Sequence, residues 1–337
     1  MSYPENKQIS ELIASANHIL IIQADNPDAD SLGSALALEQ ILGEMGKQVS
    51  LYCAVDMPAY LRYLSGWDRV TKDLPSSFDL SIIVDASTMT LIDKFQDPHT
   101  RGVVSSKPVI ILDHHEITDN PIPFKTVEIN DGSLASTGQL IYYLARELHW
   151  PLDTTSGEFI MNTILGDTQG LTNELATANT YRTMAELIDM GVNRPKLEEI
   201  RREYSKMPEP ILRYKAVLIE RAELHNDGSV AVVTVPQHEI NEYSPLYNPA
   251  PLIQNDLLQT IGVQIAIVLK SYDTGRITAA IRANSSYSIA GKLAEHFGGG
   301  GHNYASGFKI EDGRPLHEIK SECIQVASEL LATLKQD

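Results

Sequence analysis

Short apolar runs recur along the first half of the chain, and most of them stop at a polar, often acidic, residue. Residues 19–22, 49–53, 80–84 and 109–112 are runs of this kind. Continuous apolar segments of that length suit the strands of a parallel sheet, buried on both faces. Between the first two, residues 31–45 set Leu32, Ala35, Leu36, Leu38, Ile41 and Leu42 on one broad apolar face and end at Gly46, the pattern of an amphipathic helix with a glycine stop. Residues 136–148 and 177–190 are two more helices, the second closed by Gly191. The alternation predicts an α/β domain, a parallel sheet flanked by helices.

After residue 192 the pattern changes. Residues 193–221 are charged and helical, with few apolar side chains to anchor a core, and are expected to form a connecting helix and linker. Residues 229–235, 263–271 and 276–283 are β-rich, with Asp273-Thr274-Gly275 as a hairpin turn between the last two. Helices are predicted at 289–297 and 316–334. Tyr243, Tyr247, Pro249 and Pro251 form an aromatic, proline-rich stretch expected to be a rigid surface loop. The expected organisation is a first domain over 1–192, a helical linker over 193–221 and a smaller α+β domain over 222–337.

Composition narrows the function. A chain of 337 residues suits two cores, and 43% hydrophobic residues can fill both. Its 44 acidic and 27 basic residues give a formal charge of −17, which opposes electrostatic binding to long duplex DNA. A short anion held by a few local cations is compatible with that charge. The two cysteines, Cys53 and Cys323, are too few for a disulfide framework or a thiolate zinc site. No run approaches the ~20 apolar residues of a membrane span, so a soluble cytoplasmic protein with no membrane partner is expected.

Candidate chemistry gathers where the apolar runs end. Residues 19–22 lead into Asn26-Pro27-Asp28-Ala29-Asp30, residues 80–84 into Asp85, residues 109–112 into Asp113-His114-His115, and residues 160–166 into Asp167. Read as strands, these runs bring Asp28, Asp30, Asp85, His114 and Asp167 to one crevice at the carboxyl edge of the sheet. Each Asp alone is an ordinary turn or cap former. As a set, crowded carboxylates repel one another, and a bound divalent cation relieves the repulsion. In the second half, Gly298-Gly299-Gly300-Gly301-His302 precedes Ala305-Ser306-Gly307. Four glycines in a row cost backbone entropy unless positive φ or close approach requires them. The alternatives are a flexible loop and a backbone cradle for a phosphate, assisted by Arg282 and His302.

These motifs, in this order and spacing, resemble the DHH phosphoesterases, with the segment from Arg282 through Gly299-Gly300-Gly301-His302 and Ala305-Ser306-Gly307 resembling their DHHA1 domain. Motif order, spacing and total length together most resemble the bacterial subgroup of nanoRNases, pAp phosphatases and stand-alone cyclic-di-AMP/pApA phosphodiesterases. The resemblance implies hydrolysis of short nucleotides by metal-activated water, with two Mn2+ ions between two domains, and often a homodimer. It implies that Asp85 bridges both ions, that Asp28 serves one, and that Asp30, His114 and Asp167 serve the other. Asp85, His114 and His115 then form the catalytic group. His115 contacts substrate, while Arg282, Gly299, Gly300, Gly301 and His302, with Asn284 and Ser285, bind the substrate's end.

One position departs from the pattern. The family carries a metal-binding His three residues before the Pro, and this chain has Ala24 there, flanked by Gln23 and Asp25. A methyl group ligates nothing. Three outcomes stay open: a normal pair with Asp25 or Gln23 substituting, a weakened first site, or a nucleotide-binding protein with reduced catalysis. A manganese pyrophosphatase is the alternative enzyme, since that group shares the first-domain motifs.

Overall fold

The structure, a computed structural model, describes residues 2–115, 120–244 and 247–334, and divides into two compact units, Met1–Lys206 and Met207–Asp337. In the first unit, α1 (Asn6–Ser15) precedes β1 (His18–Ile22), α2 (Ala29–Glu44), β2 (Gln48–Tyr52), β3 (Val70–Thr71) and β4 (Leu80–Val84). Then come α3 (Pro98–Ser105), β5 (Val109–Asp113), β6 (Val127–Asn130) and four helices, α4 (Thr137–Glu147), α5 (Thr154–Asp167), α6 (Ala178–Asp189) and α7 (Arg194–Tyr204). The sheet order is β3-β2-β1-β4-β5-β6, parallel throughout. Successive residues of β1 feed opposite cores: Ile19 and Ile21 pack with α2, α4 and α5, while Leu20 and Ile22 pack with Phe95 and Val104. Burial of both faces is why these strands carry unbroken apolar runs. The order reverses direction between β1 and β4, so the chain leaves the tops of these adjacent strands toward opposite sides and opens a crevice there.

The second unit contains α8 (Glu209–Glu220), β7 (Glu223–His225), β8 (Val230–Pro236), α9 (Gln237–Tyr243), α10 (Pro249–Leu258), β9 (Ile265–Ser271) and β10 (Ile277–Ala283). It ends with α11 (Ala290–His296), β11 (Gly300–His302), β12 (Ala305–Ile310) and α12 (Leu316–Leu334). Its sheet order is β11-β12-β10-β9-β8-β7, antiparallel except for the β8–β9 pair. α11 and α12 cover one face, and α8, α9 and α10 the other.

Four expectations change. Residues 160–166 are the end of helix α5, not a strand, because Asp153 caps its start by accepting the Ser156 amide at 2.8 Å and the run continues a helical face. Within 193–221, α7 packs Leu197 into the first unit's core and α8 packs Ile211, Tyr214 and Leu218 into the second. The proline-rich stretch starts a helix: Pro249 occupies the first turn of α10, where its missing N–H costs nothing. Half of the glycine run is an edge strand: Gly300 and Gly301 pair with β12, while Gly298 and Gly299 form the turn out of α11. Among the described residues no helix is long and apolar enough to cross a membrane.

Candidate metal centre

The crevice at the β1/β4 reversal is built from helix ends and strand tips. Asp28 is the N-cap of α2, its carboxylate accepting the amides of Asp30 at 2.9 Å and Ser31 at 3.0 Å. Asp30 lies in the first turn and is fully buried. It accepts the Thr137 amide at 2.7 Å, the Gly138 amide at 3.1 Å and the Ser34 hydroxyl at 2.9 Å. The start of α4 thus supplies donors and the positive end of its dipole to Asp30. This requires α2, α4 and α5 to approach closely, and Gly138 permits it: a Cβ there would lie 2.1 Å from Thr163 Oγ1.

Asp85 follows β4 with φ of 58°, a left-handed conformation that non-glycine residues rarely adopt. Its amide donates to Leu112 O at 3.0 Å and Thr137 Oγ1 lies 3.4 Å from its carboxylate, so the neighbours hold the strained residue in place. His114 follows β5. Its Nδ1 faces Leu134 O at 3.3 Å, which directs Nε2 at the carboxylates. Nε2 lies 3.2 Å from Asp167, 3.5 Å from Asp30 and 3.8 Å from Asp85. Asp113, buried at the tip of β5, accepts the His114 amide at 2.8 Å and His115 Nδ1 at 2.8 Å, fixing the second ring. His115 Nδ1 is 3.7 Å from Asp85.

Two groups of three donors result, Asp30–His114–Asp167 and Asp85–His114–His115, each with its ligand atoms within 4.8 Å of one another. Burial, then the neighbouring carboxylates, Asp30 foremost, push Asp85 and Asp167 well above the ordinary carboxylate range. Burial opposes charge on His114, but the hydrogen bond to Asp167 and the surrounding acids prevail and raise it to about 9. The residues fit a divalent cation: nitrogen and oxygen donors, no thiolate among them, and crowded acids whose mutual repulsion an ion relieves. His115 stands in a ligand group, where the resemblance gave it a substrate role. Asp28 stays outside both groups. Asp113 was visible only as part of the triplet; its orienting role follows from the ring geometry it imposes.

At the departure from the family pattern, Ala24 is buried in an apolar cluster with Ile22 and Tyr52. Asp25 accepts the Lys94 amide at 3.1 Å, and burial raises its carboxyl. Gln23 is fully buried, and neither of its amide atoms meets a partner among the described residues.

In the second unit, Gly298 ends α11 with φ of 73°, and the amides of Gly298 and Gly299 donate to Glu295 O and Ala294 O at 2.9 Å each. Gly299 then runs so close to β12 that a Cβ would lie 2.2 Å from Gly307 O, and Gly301, at φ 131°, would meet Ser306. A helix cap and a tight strand pair therefore account for three of the glycines. Arg282 is exposed on β10, opposite Ala305, with no ion pair among the described residues. Asn284 spends its amide on Leu258 O and Val263 O at 3.3 and 3.0 Å. The side chains of Ser285 and His302 lie outside the described residues.

A six-stranded parallel sheet with this ligand-bearing edge, followed by a mixed sheet, defines a two-unit protein of the DHH phosphoesterase class. The chain belongs to the DHH/DHHA1 family: residues 18–177 match the DHH family, N-terminal domain, and residues 247–333 match the DHHA1 domain. Among curated proteins it is similar to the bifunctional oligoribonuclease and PAP phosphatase NrnA of Thermus thermophilus, 25% identical over 91% of this chain and 88% of that protein. The protein of the same name from Bacillus subtilis is 23% identical over 90% of this chain and 94% of its own. Among solved structures, an exopolyphosphatase-related protein from Bacteroides fragilis superposes with a TM-score of 0.84 at 21% identity, covering 97% of both chains, and shares the fold.

Proposed function

We propose that the chain is a divalent-metal-dependent phosphoesterase that hydrolyses short nucleotides, with Mn2+ as the working ion and pApA, pAp and RNA of a few nucleotides as the substrate class. The observation that carries this reading is the pair of ligand groups sharing His114 around the strained Asp85. The names of the NrnA relatives support the substrate class. Asp85, His114, His115, Asp30 and Asp167 would hold the ions, with Asp28 at the rim. When bound, such ions supply Lewis acidity to both oxygens of an in-line displacement at phosphorus. Asp113 holds the His115 ring, Leu134 O holds His114, and the start of α4 holds Asp30, so the ligands need little reorganisation. Arg282 and the Gly299–His302 segment are our candidates in the second unit for the substrate's end phosphate.

A second reading is favoured by residue 24. Ala24 is packed in apolar surroundings and Asp25 is occupied by Lys94, so one ion would be held with fewer ligands. Weak metal binding or nucleotide binding with little turnover would follow. The test is hydrolysis of pApA, pAp, cyclic-di-AMP and pyrophosphate across a Mn2+ titration, beside Asp85→Asn, which keeps a residue type tolerant of left-handed φ. Turnover that disappears in the variant supports the first reading. Absence of turnover at millimolar Mn2+, with nucleotide binding retained, supports the second, and pyrophosphate as the best substrate would replace both with a pyrophosphatase.

A further inference from the structure

On the flank of α5, the first unit holds a cavity of about 380 Å³ whose wall includes Ala29, Tyr60, Tyr63, Asn162, Gln169 and Arg194. Ala29 lies between Asp28 and Asp30, and the lining residue Gly166 precedes Asp167, so the cavity begins one residue from three of the acids of the metal-centre crevice. Its volume is within the roughly 300–1,000 Å³ of small-molecule sites.

The wall has the chemistry of a base-binding site. Tyr60 keeps 60% of its surface exposed, while its hydroxyl donates to Pro27 O at 3.1 Å, which ties the aromatic wall to the turn carrying Asp28. Asn162 spends its amide N–H on Glu158 O at 2.8 Å, leaving its carbonyl oxygen as an acceptor. Gln169 adds an amide with both donor and acceptor, and its backbone is unusual. Gln169, Gly170 and Leu171 all have positive φ, at 51°, 78° and 71°, and the turn is held by Leu171 N donating to Thr168 Oγ1 at 2.9 Å. Left-handed non-glycine residues of this kind cluster at ligand-binding segments. Arg194 opens α7 and has no ion pair among the described residues, whereas Arg201 on the same wall is paired with Glu198 at 2.8 Å. The unpaired guanidinium matches a single phosphate. Glu198 disfavours a bare polyphosphate in the same space, and two tyrosines have no use for one.

We propose that this cavity receives a nucleobase of the substrate, stacked on Tyr60 and Tyr63, with its edge read by Asn162 and Gln169 and the adjoining phosphate held by Arg194. The assignment deepens the phosphoesterase reading and rests on it for the position of the scissile bond. Unstacked bases are recognised by aromatic faces and amide side chains in this way.

The test compares kcat/KM for pApA with that for bis(4-nitrophenyl) phosphate, an ester without a base, at saturating Mn2+. It uses the wild type, Arg194→Ala, Tyr60→Ala and Tyr60→Phe, each checked for folding by circular dichroism. AMP binding is measured by calorimetry on the same proteins without metal. The preference for pApA falls about tenfold in Arg194→Ala and Tyr60→Ala, chiefly through KM. That factor is about 1.4 kcal/mol, the low end of base–aromatic stacking. Tyr60→Phe, which keeps the ring, retains most of the preference. An active enzyme whose preference is unchanged in both alanine variants overturns the inference and leaves the phosphoesterase reading standing. If the wild type cuts neither ester, that reading fails, and AMP binding decides the cavity: weakened tenfold in the variants it stands, absent or unaltered it falls.

Discussion

Asp113 does its work through other side chains. Its carboxylate takes the His114 amide and the His115 ring nitrogen, each at 2.8 Å. Burial opposes its charge, but the hydrogen bonds from His115, Ser87 and the His114 amide together outweigh burial and keep it below the usual carboxylate range. Asp113→Asn removes the charge that orients His115 while keeping the residue's size. Outer partners of this sort are worth roughly 10–100-fold in affinity or activity. We expect kcat for pApA to fall by about that factor with the Mn2+ content, measured by mass spectrometry, largely retained; an unchanged rate would make Asp113 a scaffold residue only. Asp25 is the contrasting case. Its contact with the Lys94 amide is a cap, so Asp25→Ala is expected to cost about 1 kcal/mol of stability in urea, the usual worth of a cap, and to leave metal stoichiometry unchanged. A drop from two ions to one would assign Asp25 the ligand role that Ala24 cannot fill.

At the scale of elements, the site depends on how closely α2, α4 and α5 pack. Gly138→Ala would drive a methyl into Thr163, whose side chain is already fixed by Ser136 at 2.9 Å. Overpacking a tight core of this type costs roughly 1–3 kcal/mol. Because the same turn presents two amides to Asp30, the variant should lose metal affinity together with stability, and a urea midpoint shift without any change in Mn2+ titration would separate the two. The apolar runs of β1, β4 and β5 were legible in the sequence because a doubly covered strand has no polar face. The acids at their ends were legible for the same reason: each lies where that covering stops. Asp167 lies beside Asp30 and His114 but on a helix instead of a strand, since residues 160–166 are covered from several sides and such a segment shows no period to separate it from a strand. The short strands β3 and β6 were missed, the first being two residues long and the second carrying alternate polar positions. Four successive glycines signal backbone freedom in the sequence, whereas in the structure three of them serve a helix cap and the close approach of β12. Nothing local in a sequence announces that approach.

For the whole molecule, the decisive quantity is the charge held in the crevice without a cation. Asp85 and Asp167 have folded-state pKa values raised above their unfolded ones, by burial first and by neighbouring acids next. His114 is raised as well, to about 9. A raised group binds its proton more tightly in the folded state, so its stabilising contribution is complete below the unfolded pKa and is lost as pH rises through the folded one. The metal-free centre therefore loses stability as pH climbs, for His114 between about 6.5 and about 9. Cation binding has the opposite dependence, because it needs the same carboxylates ionised and the imidazole neutral, so protons compete with it at low pH. The two effects add. The rise in Tm produced by Mn2+ should be small at pH 5.5 and larger at pH 8, and ligand linkage sets its scale at about 2.7 kcal/mol when free metal exceeds Kd 100-fold. Scanning calorimetry with and without Mn2+ at the two pH values measures it. A Tm increase independent of pH would mean that the ion binds away from these acids, and a decrease with rising pH would contradict the ligand assignment altogether. Asp85→Asn should reduce the pH dependence without abolishing it, since one crowded carboxylate fewer leaves less repulsion for the cation to relieve while His114 and Asp167 still titrate.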